Sequence, residues 1–202
     1  MESITELRKL VLHHLKLSGY IQDNNEFNNE NATNWEVLKC CIVAGMYPNI
    51  CHANSYCDTF DSEKSPNMKI DWSSVVHDRD LNSIGTEWLT YGQKKRIGNN
   101  IYVGNLTIVP IIDLIFFAGS LNATISDDGT SFEIDKFIQC IVDKRDGPLL
   151  NNIRKKLNVI FNKFLKNEVL SINEKSILET VVDTVKKEDT IEKYIDREIS
   201  MH

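Results

Sequence analysis

The decisive stretch of this chain is Trp35–Ile50, WEVLKCCIVAGMYPNI, which reads as a helix with a hard stop. Thr33 and Glu36 stand at the S/T-x-x-E spacing of a capping box, in which each side chain accepts from the other residue's free N–H. Trp35, Leu38, Ile42 and Met46 recur at steps of three and four, which predicts one buried apolar face. Val37, Cys40, Cys41, Val43 and Ala44 fill much of the remaining circumference, so the helix is expected to be covered on most sides. Gly45 permits close approach or an ending, and Pro48 cannot continue a helix because it has no N–H to donate.

Toward the N-terminus, Ser3–Leu17 predicts a second helix. Ser3 and Glu6 repeat the capping-box spacing, and Leu7, Leu10, Val11 and Leu17 mark the side expected to be buried. His13 and His14 are adjacent, so they point in different directions and do not form an i, i+4 metal pair. Gly19 is placed to end this helix, with Tyr20 and Ile21 packing back on it. Asp23–Asn34 holds six asparagines and three acids and reads as a loop.

Beyond Ile50 the period changes from helical to extended. Cys51–Cys57 predicts a first strand, and the polar stretch Asp58–Asn67, with Pro66, a loop. Lys69–Val76 alternates as a second strand, Trp88–Tyr91 is a third, and Ile101–Val109 a fourth after a turn at Ile97–Asn100. Pro110 opens the apolar run IIDLIFFAG, a short buried helix ended by Gly119, and Ser131–Val142 is a fifth strand. Pro148 sits in the first turn of a later helix whose stripe is Leu150, Ile153, Leu157, Ile160, Phe161 and Phe164. Arg154, Lys155, Lys156, Lys163 and Lys166 are expected on its outer face, which reads as the solvated back of an amphipathic helix or else as an approach to nucleic acid or an acidic partner, with Arg154, Lys155 and Lys163 as the partner-binding candidates. Ser171 and Glu174 cap a last helix whose apolar face is Ile177, Leu178, Val181, Val182 and Val185.

Composition sets limits on function. A chain of 202 residues, 42% hydrophobic and 26% charged, has the make-up of a globular protein of one or two domains. Its net charge of −6 argues against coating nucleic acid by bulk charge, so any such contact must be a local basic patch. Five cysteines without CxxC pairing point to a reducing cytoplasmic or nuclear compartment, and no apolar run reaches membrane-spanning length. Cys51, His52 and Cys57 fall short of the four ligands of structural zinc, so no metal site is expected. His77 and Asp78 are sequence neighbours that read as a turn, so no catalytic residue is assigned. Neither a G-x-x-x-x-G-K-[ST] loop nor a DExH stretch is present, so ATP hydrolysis has no machinery in this chain. The positive signal is Tyr91-Gly92-Gln93-Lys94-Lys95-Arg96, three cations beside a tyrosine between two strands. Such a group grips phosphates while the ring stacks on a base, or else it is a solvated hairpin end with Tyr91 in the core.

Three blocks carry a family resemblance. VLKCCIVAGMYPNI resembles the junction at which DEAH and RNA-helicase-A-like (DExH) helicases pass from the helical helicase-associated region into a C-terminal OB fold. WLTYGQKKRIGNNIYVGNLTIVPIIDLIFFAGS resembles the strands of that fold, and IDKFIQC, Ile134–Cys140, resembles a later strand. Their order and spacing agree with the family over roughly residues 1–166.

The resemblance implies an α+β fold: a small OB-like five-stranded antiparallel β-barrel flanked by N-terminal and C-terminal helices. It divides the chain into 1–50, the end of the helicase-associated region, 51–146, the barrel, and 147–202, a helical extension. It also implies upstream RecA-like motor domains that hold ATP and Mg²⁺, leaving no cofactor in this chain. Single-stranded RNA would then contact Tyr91, Lys94, Lys95, Arg96 and Arg79. The chain departs from the family where His77-Asp78-Arg79-Asp80 replaces an HPSS turn and where Gly104 replaces a basic residue. Two functions stay open: an RNA-guiding helicase module, or a protein-interaction module of a motor-inactive scaffold in translational repression.

Overall fold

Alternation of inward and outward residues begins where Met46 ends the helical period, and it builds a barrel. The computed structural model describes residues 2–21, 31–54, 59–74, 77, 87–119 and 123–199, with side chains from 3 to 187. Among the described residues, helices α1 (Glu2–Leu17) and α2 (Trp35–Met46) come first. Five strands follow: β1 (Ile50–Asn54), β2 (Thr59–Ser62), β3 (Ser65–Ile70), β4 (Trp88–Ile97) and β5 (Asn100–Ile108). Then come α3 (Ile111–Phe117), β6 (Ala123–Ile125), β7 (Ser131–Ile134), β8 (Ile138–Ile141), α4 (Asp146–Leu165) and α5 (Ile172–Ile199).

The fold is α+β, and the five strands close in the order β1-β2-β3-β5-β4 as an OB-like barrel. Its strands are mixed rather than purely antiparallel. Five is odd, and strand direction cannot alternate all the way round an odd ring, so one seam must be parallel. That seam is β3 against β5, with Lys69 beside Tyr102 and Ile70 beside Val103. The barrel interior is filled by Cys51, Ala53, Phe60, Met68, Leu89, Tyr91 and Val103.

Several expectations change once the barrel is seen. Asp58–Asn67 is not a loop: Thr59–Ser62 and Ser65–Ile70 form a hairpin there. Phe60 and Met68 make the burial that holds it, and Pro66 is tolerated because it lies at the start of its strand. The second strand therefore stops at Ile70 instead of reaching Val76; residues 75 and 76 lie outside the described residues, as does Cys57 of the expected first strand. β4 continues past Tyr91 through the cations to Ile97, and because Thr59–Ser62 adds a strand to the expected set, α3 follows the fifth barrel strand and not the fourth. Ser131–Val142 is not a barrel strand but the hairpin β7–β8, reversed at Asp135 and Lys136 with φ of +49° and +62°. With β6 it forms a separate three-stranded sheet.

The helices also differ in detail. Asn34, not Thr33, caps α2, accepting from the Val37 N–H at 3.2 Å. The buried face of α2 is Glu36, Lys39, Cys40 and Val43, whereas Trp35 is 55% exposed and Leu38 also faces out. Glu36 and Lys39 tolerate burial because they neutralise each other at 3.0 Å, and the Cys40 thiol donates to Asp113 Oδ1 at 3.4 Å. α1 begins before Ser3, so the expected capping box does not form there, and Leu7, Leu10, Val11 and Leu17 are exposed instead of buried. Tyr20 follows a left-handed Gly19 and stacks on Phe164, ring centroids 6.4 Å apart. The Ser171–Glu174 capping box forms as expected, with N–H donations of 2.8 and 3.3 Å in the two directions.

A second core joins Cys40 and Val43 of α2, Leu114, Ile115 and Phe116 of α3, the inner face of β6–β8, Leu157 of α4 and Val181 and Val185 of α5. Its junction is Arg154. The guanidinium donates to the Ile115 carbonyl at 2.7 Å and to the Ala118 carbonyl, covering the C-terminal carbonyls of α3. Arg154 is 3% exposed, so it is not on the solvated outer face expected of it: the side chain points between helices because those carbonyls need a donor there. Next along the chain, Gly119 adopts φ +71°, and a Cβ on it would lie 2.5 Å from Ile134 Cγ2 and 2.7 Å from Asp135 Oδ2. The Tyr47 hydroxyl donates to the same Asp135 carboxylate, so the ends of α2 and α3 meet the β7–β8 turn.

Arg154→Met keeps much of the side-chain volume but orphans two carbonyls, and it should lower unfolding free energy in urea by about 2–4 kcal/mol. Gly119→Ala, which combines a close contact with left-handed backbone, should cost about 2 kcal/mol or more by the same measurement.

Candidate nucleic-acid interface

The basic stretch is carried by one long hairpin. β4 and β5 keep one register from Leu89↔Ile108 to Ile97↔Asn100, broken only at Gly92 and Asn105, where Asn105 takes φ +55°, and Gly98 leads the two-residue turn at φ +60°. Lys94, Lys95 and Arg96 therefore project from a paired strand whose backbone is fixed, and not from a loop. The Lys94 ammonium donates to Ser65 Oγ at 2.6 Å, and Lys95 lies 3.3 Å from Asp71 Oδ2. Arg96 is exposed opposite Ile101. Arg79 lies outside the described residues.

Tyr91 does not join them. Its ring is 6% exposed among the barrel's interior side chains, and burial raises the pKa of its hydroxyl. Position along the strand explains the correction: Trp88–Tyr91 are all buried where β4 lies against β1, while the residues from Gly92 onward, which lack that neighbour, are exposed.

Two aromatic residues that sequence reasoning did not single out stand beside the cations. Tyr102 of β5 is paired laterally with Lys95 on β4 and with Lys69 on β3, so the three lie in one row across three strands. Trp72, two residues past the end of β3, is 69% exposed and meets Tyr102 edge-on at 6.3 Å. Sequence alternation over Lys69–Val76 places Trp72 within an expected strand. The strand's termination at Asp71, which the alternation does not reveal, is what turns it outward.

The other candidates are occupied differently. Lys155 is exposed on α4, whereas Lys163 is held by Glu174 at 2.7 Å. Hydrogen bonding from Lys163 and from Ser171 holds the Glu174 carboxyl down at about 2. Phe161 and Phe164, expected in the buried stripe of α4, are exposed at an apolar groove of about 450 Å³ shared with Phe116, Phe117 and Leu178. Cys51 faces the barrel interior and burial pushes its thiol up to about 12, which leaves it unsuited to metal or nucleophilic chemistry. Its neighbour His52 bonds Glu87 at 2.8 Å and lies against the Trp88 ring. Among the described residues no group of three or more His, Cys, Asp or Glu side chains is arranged to hold a metal, and no helix is long and apolar enough to cross a membrane.

The chain is 22% identical to human ATP-dependent DNA/RNA helicase DHX36 across 94% of its length, and 20% identical to the Mus musculus protein over the same share. It is 21% identical across 83% of its length to protein benign gonial cell neoplasm of Drosophila melanogaster. The chain resembles the C-terminal region of DExH helicases. It spans about a fifth of the length of DHX36 (20%) and 15% of the Drosophila protein. No family model matches it.

The depressed Glu174 carboxyl gives a pH prediction. Its folded pKa lies below the usual value of 4.5, so the pair's contribution is complete above about pH 4.5 and is lost as pH falls toward about 2. Glu174→Gln should therefore lower the urea midpoint at pH 7, and the gap from the unaltered chain should close between pH 4.5 and 2.

Proposed function

We propose that this chain is the accessory module of a DExH-type RNA helicase or helicase-like protein, receiving single-stranded RNA on the barrel and packing against the motor. The observation that carries the reading is the cationic end of the β4–β5 hairpin, Lys94, Lys95 and Arg96 on a rigid ladder beside Lys69. In a chain of net charge −6 such a cluster is a local exception, as a phosphate-tracking surface requires. The motor, with its ATP and Mg²⁺, belongs to other parts of a longer parent, and RNA leaving that motor would cross the hairpin. A cytoplasmic or nuclear location fits the unpaired thiols of Cys40 and Cys51.

A second reading has its own support. Ile4, Leu7, Leu10 and Leu17 of α1, and Trp35 and Leu38 of α2, leave apolar surface in water. That surface suits a protein-interaction module of a motor-inactive scaffold in translational repression.

Fluorescence anisotropy with a labelled single-stranded RNA separates the two. The first reading expects binding that weakens with salt, and a Lys94→Ala/Lys95→Ala/Arg96→Ala variant whose log–log salt slope is shallower by about two. Absence of binding at low salt by a folded chain would move the assignment to the scaffold.

A further inference from the structure

Leaving an indole in water forgoes one of the largest apolar burials a side chain can supply, so an exposed tryptophan held in place calls for a reason. Trp72 is held in place. Asp71, which precedes it, is buried, and its N–H donates to the Val103 carbonyl at 2.8 Å. Asp71 Oδ1 accepts from the Ser73 N–H at 2.9 Å and from its hydroxyl at 2.6 Å, closing a tight turn around Trp72. Asp71 Oδ2 faces the Lys95 ammonium at 3.3 Å. Hydrogen bonds from Ser73, then from Lys95, hold this carboxyl below the ordinary carboxylate range, so it stays ionised. One carboxylate thus fixes the turn that presents the indole and the cation that flanks it.

Resting on the nucleic-acid reading above, we infer that Trp72 and Tyr102 form a stacking platform for unpaired nucleobases, with Lys69 and Lys95 placed for the adjoining phosphates. The two rings are 6.3 Å apart at 62°, an edge-to-face pair that leaves the indole 69% exposed. Tyr102 stands between Lys69 and Lys95 in register. A protein-docking patch would surround the aromatics with apolar side chains; here the register neighbours are lysines. Aromatic faces interleaved with cations match a single strand, whose bases expose their faces, and reject a duplex, whose bases are stacked on one another. The ligand class is single-stranded RNA or DNA, bound with little sequence preference, because every base has a face and the platform offers no base-edge code.

The test uses the full chain with four labelled probes of equal length: single-stranded RNA, single-stranded DNA, an RNA duplex, and an abasic strand that keeps the phosphates. Trp72→Ala should weaken binding of both base-bearing single strands roughly five- to hundredfold, leaving the abasic strand's weak binding unchanged. Trp72→Phe should retain most of the affinity while losing the quenching of tryptophan emission caused by unlabelled strand. Weaker binding of RNA alone would show readout of the ribose and overturn the platform's indifference to sugar. Unchanged affinity in Trp72→Ala, with the Lys94/Lys95/Arg96 triple variant impaired, overturns the platform and leaves the nucleic-acid surface standing. Failure of the unaltered chain to bind any probe overturns both.

Discussion

Arg154 carries its charge into the interior because α3 ends there. A short helix leaves its last carbonyls without intrahelical partners, and the partial negative charge they sum to attracts a cation. The guanidinium meets the Ile115 and Ala118 carbonyls at once, which fixes α4 against the end of α3. Everything around that point is spatially constrained. Gly119 has room for no side chain beside Ile134 and Asp135, and Asp135 takes the Tyr47 hydroxyl, which sets the end of α2 and hence the entry into β1. The helical half of the molecule is thereby tied to the first strand of the barrel.

The barrel itself follows from strand count and from one long hairpin. Closing five strands demands a parallel seam, and β3 against β5 supplies it. The seam puts Lys69 and Tyr102 side by side, and the β4–β5 hairpin adds Lys95 to the same row. A surface made of residues from three separate strands is thus a consequence of topology. β4 pairs with β1 only over Trp88–Thr90, so its later stretch has β5 on one side alone, and Lys94, Lys95 and Arg96 stand exposed there on a rigid ladder.

Much of this architecture was legible from residue order. The Trp35–Ile50 helix and its stop, the later helices, the Ser171–Glu174 cap and the strands at Ile50–Asn54, Trp88–Tyr91 and Ile101–Ile108 all follow from period and capping chemistry. What escaped has identifiable causes. Apolar period locates a helix but not which side its neighbours cover: in α2 the pair Glu36–Lys39 is polar yet buried because each neutralises the other. In α1 the apolar stripe faces water. The hairpin in Asp58–Asn67 was hidden by its polar composition, since only Phe60 and Met68 fill the barrel there. At the site, the cations were evident as a run, but the aromatics were not. Tyr102 depends on strand register, and Trp72 depends on a turn made by Asp71 and Ser73. Arg154 looked like one more surface base in a basic helix until the carbonyls it serves, 39 and 36 residues earlier, were in view.

The most direct test of the account is a backbone NMR titration of the chain with a single-stranded oligonucleotide. The account predicts shift changes concentrated in 69–73 and 93–104, with α1, α2 and the Phe161–Phe164 groove unmoved. Changes confined to the helices, or none at saturating oligonucleotide, would contradict it.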